Sequence, residues 1–365
     1  RNQKVTVNGN ESINRPVTSG IPQGSVLGPI LFVIYINDLP ECVKAKTYLF
    51  ADDRKIFKEI KTEEDRKHLQ DDLDKLQKWS DTWLLKFHPN KCKVMSISNK
   101  RLTEVTTTYY LHDQDGKSVE LSRSEGEKDL GVMVDDKVNF DKHIQQQVNK
   151  ANSIMGLIRR TYTFLDETSF RYLFQALVRP HLEYAEAVWS PFTKKNIDTI
   201  EKVQKRATKL IPSLKNMDYP NRLKKLKMPT LQYRRLRGDM IEVYKIINGI
   251  YDHKVVTGFF ELSDVEQTKG HNKKLRKLSC KINKRKNYFS NRVIDVWNNL
   301  PQEAVSAKSV KDFEIAIDKH WENQEMKYNH NANIELKTGR KRSYTTIQRD
   351  DDKIEVDKVV NDQRP

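Results

Sequence analysis

The sequence predicts an α+β fold in which β-hairpins come first and helices follow. Residues 3–8 and 102–121 alternate in polarity, a period typical of strands, and they meet tight-turn dipeptides at Asn8-Gly9 and Asp115-Gly116. Residues 46–60 form a further predicted hairpin. From about residue 141 the apolar residues recur with the helical period of 3.6, which predicts a helical bundle.

Composition favours a globular protein with an anionic partner. A chain of 365 residues is long enough for two or three domains. Charged residues make up 32%, hydrophobic ones 37%, and the net charge is +16. This excess indicates nucleic acid as the default partner, although a basic surface can also serve solubility alone.

The cysteines and the hydropathy pattern predict a location inside the cell. Cys42, Cys92 and Cys280 are far apart and lack zinc-ligand spacing, so we expect no disulfide framework and a reducing compartment. The chain starts at Arg1 without a signal peptide, and we expect it to begin within a longer protein. No apolar run reaches the ~18 residues of a membrane span. Residues 27–39 predict a buried helix.

The most informative stretch is Tyr-Leu-Phe-Ala-Asp-Asp at residues 48–53. Adjacent carboxylates repel each other and require a cation, and Mg²⁺ prefers carboxylate and phosphate oxygens. The pair Asp52 and Asp53 therefore predicts a metal site, and a plain surface turn is the alternative. The other acidic runs lack the apolar lead-in; they are Asp71-Asp72, Asp135-Asp136 and Asp350-Asp351-Asp352.

A Pro-Gln-Gly turn, formed by Pro22, Gln23 and Gly24, comes before this pair. Its glycine permits close approach of the backbone to a large ligand, and a helix follows from about Ser25. Free N–H groups at such a helix start could contact a phosphate or a base pair. A strand-to-helix turn without a ligand is the alternative. The residues expected on the core side of this helix are Leu31, Phe32, Ile34 and Tyr35.

Residues 62–87 predict a helix that begins at a Thr62/Asp65 capping signal. Its apolar stripe predicts core packing and comprises Leu69, Leu73, Leu76, Trp79/Ser80 and Trp83. A turn containing His88 and Lys91 follows, and then a strand at residues 92–97. A further short strand is predicted at residues 130–134.

Four helix faces are predicted after residue 141. Their apolar positions are Ile144, Val148, Ala151, Met155 and Ile158; Phe170, Leu173, Phe174 and Leu177; Ile197, Ile200, Gln204, Ala207 and Leu210/Ile211; Leu236, Met240, Val243/Tyr244 and Ile247. The polar faces are basic, which favours contact with a nucleic-acid backbone over simple solvation. These basic residues are Lys202, Lys205, Arg206, Lys209, Lys224, Lys225, Lys227, Arg234, Arg235 and Arg237.

The C-terminal part combines a basic run with a polar tail. Residues 267–292 hold ten Lys or Arg and no Asp or Glu, and Tyr288 and Phe289 follow the run. This run could neutralise a nucleic-acid backbone while its aromatic residues stack on bases. The alternatives are a flexible basic loop and a localisation signal. The last apolar cluster comprises Arg292, Val293, Trp297, Leu300 and Phe313. Residues 322–365 are polar and expected to be disordered.

Seven motifs, taken in order, resemble the reverse transcriptases of LINE-type (non-LTR) retrotransposons of the Jockey-like and chicken-repeat-like groups. The first two are Ser-Gly-Ile-Pro-Gln-Gly-Ser-Val-Leu-Gly-Pro at 19–29 and Phe-Ala-Asp-Asp at 50–53. The others lie at residues 79–83, 90–92, 128–132, 179–184 and 297–301, so the resemblance covers roughly residues 1–321.

The resemblance implies an RNA-directed DNA polymerase that uses two-metal nucleotidyl transfer with Mg²⁺ or Mn²⁺. Asp52 and Asp53 would be the metal-binding catalytic carboxylates, and Lys91 would occupy the place of a palm lysine that acts as a general acid. Pro22, Gln23 and Gly24 would lie beneath the templating base pair and the nucleotide. Leu130, Gly131 and Val132 would form the primer grip. One departure is Arg54, where these elements commonly carry Thr.

The predicted organisation is a partial palm at 1–140, a helical thumb-like region at 141–260, a basic C-terminal region at 261–321 and the tail. The implied partners are an RNA template, a DNA primer, a dNTP, and the fingers, palm and endonuclease segments of the parent element, in a cytoplasmic ribonucleoprotein and the nucleus. The bridging palm Asp and the fingers would lie upstream of Arg1, so we expect little activity from the isolated chain. A catalytically inactive nucleic-acid-binding remnant is the alternative; a scaffold protein has little support.

Overall fold

The computed structural model describes residues 2–18, 20, 24–97, 108–263 and 270–336. The chain forms two compact units, Arg1–Glu125 and Gly126–Pro365, here called unit 1 and unit 2. Both helices and small sheets are present, which confirms the α+β class. No helix among the described residues has the length and apolar character needed to cross a membrane.

Unit 1 contains ten short strands and two α-helices within its described residues. In chain order they are β1 (Asn2–Gln3), β2 (Thr6–Val7), β3 (Asn10–Glu11), β4 (Arg15–Pro16), α1 (Leu27–Ile36), β5 (Lys46–Phe50), β6 (Asp53–Phe57), α2 (Glu63–Thr82), β7 (Lys93–Val94), β8 (Tyr110–His112), β9 (Ser118–Glu120) and β10 (Ser122–Arg123). The pairs β1–β4, β2–β3, β5–β6 and β8–β9 are antiparallel, and β7–β10 is parallel. Single-turn 3₁₀ helices span Leu39–Cys42 and Pro89–Lys91.

The hairpins appear where the turn dipeptides predicted them. Asn8 and Gly9 connect β2 to β3 with φ of 49° and 81°, the left-handed conformations of a two-residue hairpin turn. Gly116, with φ of 76°, lies in the turn between β8 and β9. Residues 101–107 lie outside the described residues. The strand expected at 92–97 is shorter than predicted, because only β7 pairs with a neighbour.

Helix α2 begins at the predicted capping box. The Thr62 hydroxyl accepts from the Asp65 N–H, and the Asp65 carboxylate accepts from the Thr62 N–H. The helix ends at Thr82, five residues before the prediction, because Leu84 adopts a left-handed φ of 56°. Leu76 and Trp79 are buried as expected, whereas Trp83 is 42% exposed.

Helix α1 is not the buried helix that the sequence predicted. Of the four residues expected to face the core, only Phe32 packs there, and Leu31, Ile34 and Tyr35 are exposed. Ile36, one turn after Phe32, is buried with Leu39 against α2. The helix is apolar on all sides, but unit 1 packs against only one of them, so the other apolar side chains stay exposed.

Unit 2 is mainly helical after one hairpin. Its described elements are β11 (Gly126–Asp129), β12 (Val132–Asp135), α3 (Asp141–Thr161), α4 (Glu167–Leu173), α5 (Arg179–Glu183), α6 (Glu186–Trp189), α7 (Lys194–Ala207), α8 (Tyr219–Leu226), α9 (Leu231–Ile247), α10 (His253–Val256), α11 (Asn283–Asn287), α12 (Phe289–Arg292), α13 (Ile294–Asn298), α14 (Gln302–Val305) and α15 (Val310–His320). One apolar core gathers α3, α7 and α8, and a second gathers α9, α13 and α15.

The apolar periodicity predicted most of these faces. All five positions assigned to the α3 face are buried. Leu177 is the exception on the next face: it is 46% exposed, and Val178 is buried in its place. Residues Phe174–Val178 form a π-helical turn, and its wider spacing shifts the buried position by one residue.

The start of the expected disordered tail belongs to the second core. Met326 and Ile334 are buried there, and the Thr230 hydroxyl donates to the Met326 carbonyl. Disorder was therefore the wrong prediction for residues 322–336, since two apolar side chains anchor a polar segment. Residues 337–365 lie outside the described part of the chain.

Candidate active site and nucleic-acid interface

The Asp pair lies at the tip of the β5–β6 hairpin. Phe50 faces Asp53 across the ladder, so Ala51 and Asp52 form the two-residue turn, with Ala51 at a left-handed φ of 51°. Asp52 and Asp53 are both exposed. Their oxygens suit Mg²⁺, but two carboxylates supply only part of its octahedral shell. Among the described residues, no three His, Cys, Asp or Glu side chains are grouped as metal ligands.

The Arg54 side chain is directed towards aromatic residues of unit 1. Its guanidinium lies 4.2 Å from the centre of the Phe87 ring and 5.9 Å from that of Trp79. Burial is the main influence on the Arg54 pKa, which it lowers, and Cys92 and then Asp52 act in the opposite direction. The Arg54 charge is therefore stabilised by the faces of two aromatic rings.

Lys91 lies in the same unit, on the short helix Pro89–Lys91. Its side chain is exposed, and its N–H donates to the His88 carbonyl. Phe87, two residues before this helix, and Cys92, directly after it, both lie near Arg54, and burial raises the pKa of the Cys92 thiol. Lys91 is therefore available to a ligand, while its role as a general acid remains a prediction.

The Pro-Gln-Gly turn is only partly described. Pro22 and Gln23 lie outside the described residues. Gly24 is exposed with φ of 80°, and the Ser25 hydroxyl accepts from the Gly28 N–H at the start of α1. The position of the glycine agrees with an open turn before a helix, and its contact with a templating base pair remains a prediction.

The residues assigned to the primer grip form a hairpin turn in unit 2. Leu130 and Gly131 connect β11 to β12 with φ of 43° and 89°, and Val132 is buried. The Tyr184 hydroxyl donates to the Leu130 carbonyl at 2.8 Å. A Cβ on Gly131 would lie 3.1 Å from the Tyr184 ring. Tyr184 thus stabilises the turn. It belongs to the motif at 179–184, which was the only indication of this role in the sequence.

The basic residues divide into an outer and an inner group. Lys202, Lys205, Arg206 and Lys209 of the α7 region and Lys224, Lys225 and Lys227 of the α8 region are exposed, as a backbone-binding face requires. Arg234, Arg235 and Arg237 were wrongly assigned to this face. Arg234 makes a bidentate ion pair with Glu183, Arg237 makes one with Asp318, and Arg235 is buried.

The basic run at 267–292 is also divided. Arg292 forms a buried bidentate pair with Asp239, Lys277 pairs with Asp295, and Arg276 pairs with Glu261. Of the two aromatic residues, Phe289 is in the core and Tyr288 is exposed, with Arg285 over its ring at 5.3 Å. Lys281, Arg285, Lys286 and Tyr288 remain on the surface for a polyanion.

Comparison with known proteins agrees with the motifs. Residues 2–173 match the family model Reverse transcriptase (RNA-dependent DNA polymerase), and this match contains the Asp pair and the Leu130-Gly131 turn. The resemblance to reverse transcriptases is confirmed. The chain matches no solved structure.

Several similar proteins carry the names of mobile-element polymerases. A probable RNA-directed DNA polymerase from transposon BS of Drosophila melanogaster is 29% identical over 57% of this chain. The RNA-directed DNA polymerase from mobile element jockey is 26% identical over 57% in Drosophila melanogaster and 28% identical over 58% in Drosophila funebris. These matches cover 23–24% of each relative, so the chain spans about a quarter of their length.

Proposed function

We propose that this chain is a segment of an RNA-directed DNA polymerase from a non-LTR retrotransposon, with the palm end in unit 1 and the thumb in unit 2. One observation supports this most strongly. The reverse transcriptase match includes a hairpin that presents two adjacent exposed carboxylates at its tip. An RNA template, a DNA primer and a dNTP are the ligands of such a site.

Asp52 and Asp53 would hold Mg²⁺, because both are exposed and the neighbouring cation is turned towards Phe87. When bound, Mg²⁺ supplies alignment of the primer 3′-oxygen with the α-phosphate and stabilises the charge that develops there. Lys91 would donate a proton to the pyrophosphate leaving group. Gly24 would let the backbone approach the base pair, and the turn at Leu130-Gly131 would support the primer end.

Other segments of the polymerase are proposed to complete the site. The exposed apolar side of α1 would be a packing surface for them, since Val26, Leu27 and Ile34 are each more than 60% exposed. A third carboxylate beside the pair is also required for two metal ions. We therefore expect the 365-residue chain alone to have little polymerase activity, because a principal electrostatic group is worth several kcal/mol of barrier.

A labelled RNA template–DNA primer duplex with a recessed 3′ end tests this proposal. Fluorescence anisotropy should give tighter binding by the 365-residue chain in Mg²⁺ than in EDTA. The variant with Asp52→Asn and Asp53→Asn should lose that difference, and Asp115→Asn, an exposed Asp in the β8–β9 turn, should keep it. An unchanged Mg²⁺ effect in the double variant would overturn the assignment.

Primer extension with the same duplex tests the expected inactivity. We expect incorporation of dNTP at background level. Templated extension that Asp52→Asn abolishes would contradict the expected inactivity of the isolated chain, and it would establish that Asp52 acts in catalysis.

The second candidate is a nucleic-acid-binding remnant without catalysis. The exposed cations of α7, α8 and residues 281–286 favour it, because they do not depend on the Asp pair. RNA binding with a steep salt dependence, unaffected by Mg²⁺ and by the Asp substitutions, would support this candidate.

A further inference from the structure

Two adjacent cavities open on the surface of unit 2, and their lining residues lie outside the seven reverse transcriptase motifs. They have volumes of about 300 and 530 Å³ and share Lys205, His330 and Asn331 in their walls. Their lysines come from α7 and the loop that follows it: Lys194, Lys202, Lys205, Lys209 and Lys215. A volume of this size is sufficient for one nucleotide unit.

Three acidic residues line the cavities: Asp198, Glu201 and Asp218. Asp218 is exposed, and its carboxylate accepts a hydrogen bond from the Asn221 side-chain amide. Glu201 accepts hydrogen bonds from the Tyr219 hydroxyl and the Leu231 N–H, and burial raises its pKa. Asp198 lies 3.6 Å from His330 Nε2. By contrast, Lys202, Lys205, Lys209 and Lys215 form no ion pair with any residue in the described part of unit 2. The open side of the cavities is therefore positively charged.

Internal hydrogen bonds hold the cavity walls in place. Arg222, which is fully buried, donates to Thr208 Oγ1 and to the carbonyls of Met217 and Lys205. It thereby ties the end of α7 to the loop that carries Lys215. On the opposite wall the His330 ring packs edge-on against Tyr219, at 6.0 Å between ring centres. The concave shape is thus built into the fold.

His330 lies in the walls of both cavities. Burial is the largest influence on its pKa and lowers it, and the nearby Lys205 and Lys194 lower it further, whereas Asp198 raises it. The positive charge of the cavity therefore comes from the lysines. An anion that entered between Lys205 and Lys209 would meet two flexible ammonium groups, which bind phosphate as point charges.

We propose that these cavities bind consecutive phosphates of a single-stranded RNA, independently of the metal-binding carboxylates. The larger cavity takes one nucleotide with its phosphate near Lys205, Lys209 and Lys215. The smaller one takes the neighbouring phosphate near Lys202. This inference rests on the proposed function only in the choice of nucleic acid as the anion.

Binding of a 5′-fluorescein-labelled oligouridylate, measured by anisotropy in EDTA over a series of KCl concentrations, tests the cavity. The variant with Lys205→Gln and Lys209→Gln should bind roughly tenfold more weakly at moderate salt, and its salt slope should fall by about 1.4, since each phosphate contact on a single strand contributes about 0.7. The matched control removes two exposed lysines of unit 2 outside the cavities, by Lys308→Gln and Lys311→Gln, and should stay within about twofold of the wild type.

Four further outcomes decide the proposal. Equal weakening by both double variants would overturn it, because charge alone would then explain binding. No weakening by the cavity variant would also overturn it, because Lys205 and Lys209 would then contact no phosphate. Preference for a duplex RNA of the same length would also overturn it. The variant with Asp52→Asn and Asp53→Asn should bind the oligouridylate normally, so the cavity can be confirmed even if the metal assignment fails.

Discussion

The guanidinium of Arg54 lies 4.2 Å from the centre of the Phe87 ring, on the side of β6 opposite to its neighbour Asp53. Side chains alternate along a strand, so the cation and the carboxylate that adjoin in sequence face different surroundings. The carboxylate is exposed, and Arg54 packs on the aromatic residues that cover the hairpin. A residue that departs from the family pattern therefore becomes part of the packing of unit 1.

Arg54→Ala should destabilise unit 1 by about 1–3 kcal/mol, because it removes the packing of the side chain on Phe87 and Trp79. Arg54→Met should cost less, or nothing. It keeps most of the volume and removes Nη1, a buried donor without a hydrogen-bond partner among the described residues. Hydrogen exchange of the β5–β6 amides measures both changes, and equal losses in the two variants would contradict the packing role.

Thr62→Ala should weaken α2 by about 1 kcal/mol, because the Asp65 N–H loses its acceptor at the helix start. Thr82→Ala, at the other end of the helix, is the control. The Thr82 hydroxyl only donates a hydrogen bond to the Lys78 carbonyl within the helix. The substitution should therefore change the stability of α2 by no more than about 0.5 kcal/mol. Hydrogen exchange of the first turn of α2 distinguishes the two, and similar protection in both variants would argue against the cap.

Gly131→Ala should cost more stability than Gly116→Ala. Both glycines have a left-handed φ, 89° and 76°, so both substitutions carry a similar backbone strain of about 1 kcal/mol or more. Only Gly131 also meets a neighbour, with the Tyr184 ring 3.1 Å from the added Cβ. Chemical denaturation of each variant gives the comparison, and equal costs would show that Tyr184 moves aside freely.

Glu186→Gln should stabilise unit 2 in alkaline solution. Burial, and then the nearby Glu183, raise the pKa of the Glu186 carboxyl to about 8, and its Oε2 has no hydrogen-bond partner in the described part of unit 2. A raised pKa in an acid means that the folded state holds the proton more tightly. The stabilising contribution is complete below about pH 4.5 and is lost as the pH rises through about 8.

The thermal midpoint of the Glu186→Gln variant should therefore exceed that of the wild type at pH 9, by a free energy on the order of 1–3 kcal/mol, and match it at pH 5. Glu322→Gln, an exposed carboxylate, should change neither value. A difference that is the same at both pH values would exclude titration of Glu186 as its cause.

Local signals in the sequence predicted the local structure. The Asn8-Gly9 turn, the Thr62/Asp65 cap and the α3 face each depend on residues within a few positions of one another, so a pattern can report them. Arg234 and Arg237 were wrongly predicted to be on the basic face because their partners are distant in sequence. They pair with Glu183 and Asp318, which lie 51 and 81 positions away. The exposure of α1 and the π-helical turn at Phe174–Val178 likewise depend on what the tertiary fold offers each face.

For the candidate site, the sequence singled out Asp52, Asp53 and Lys91 because each belongs to a recognisable motif. It predicted a strand at 130–134, whereas Leu130 and Gly131 form the turn before β12. It left the direction of Arg54 open, since that depends on the distant Phe87 and Trp79. Tyr184 belongs to the motif at 179–184, but only the structure shows its contact with Leu130. The cavity beside His330 is formed by α7 and by residues about 125 positions later in the chain, so the sequence could not indicate it. The 3.6 Å contact between His330 and Asp198 joins the same two segments.

Paramagnetic NMR with Mn²⁺ tests the central claim, that Asp52 and Asp53 form a divalent-metal site. In ¹⁵N spectra of the 365-residue chain, Mn²⁺ should broaden the amides of the β5–β6 tip first. The broadening should disappear in the variant with Asp52→Asn and Asp53→Asn and persist in Asp115→Asn. Broadening at the tip that survives the double substitution, or an absence of broadening there, would contradict the account.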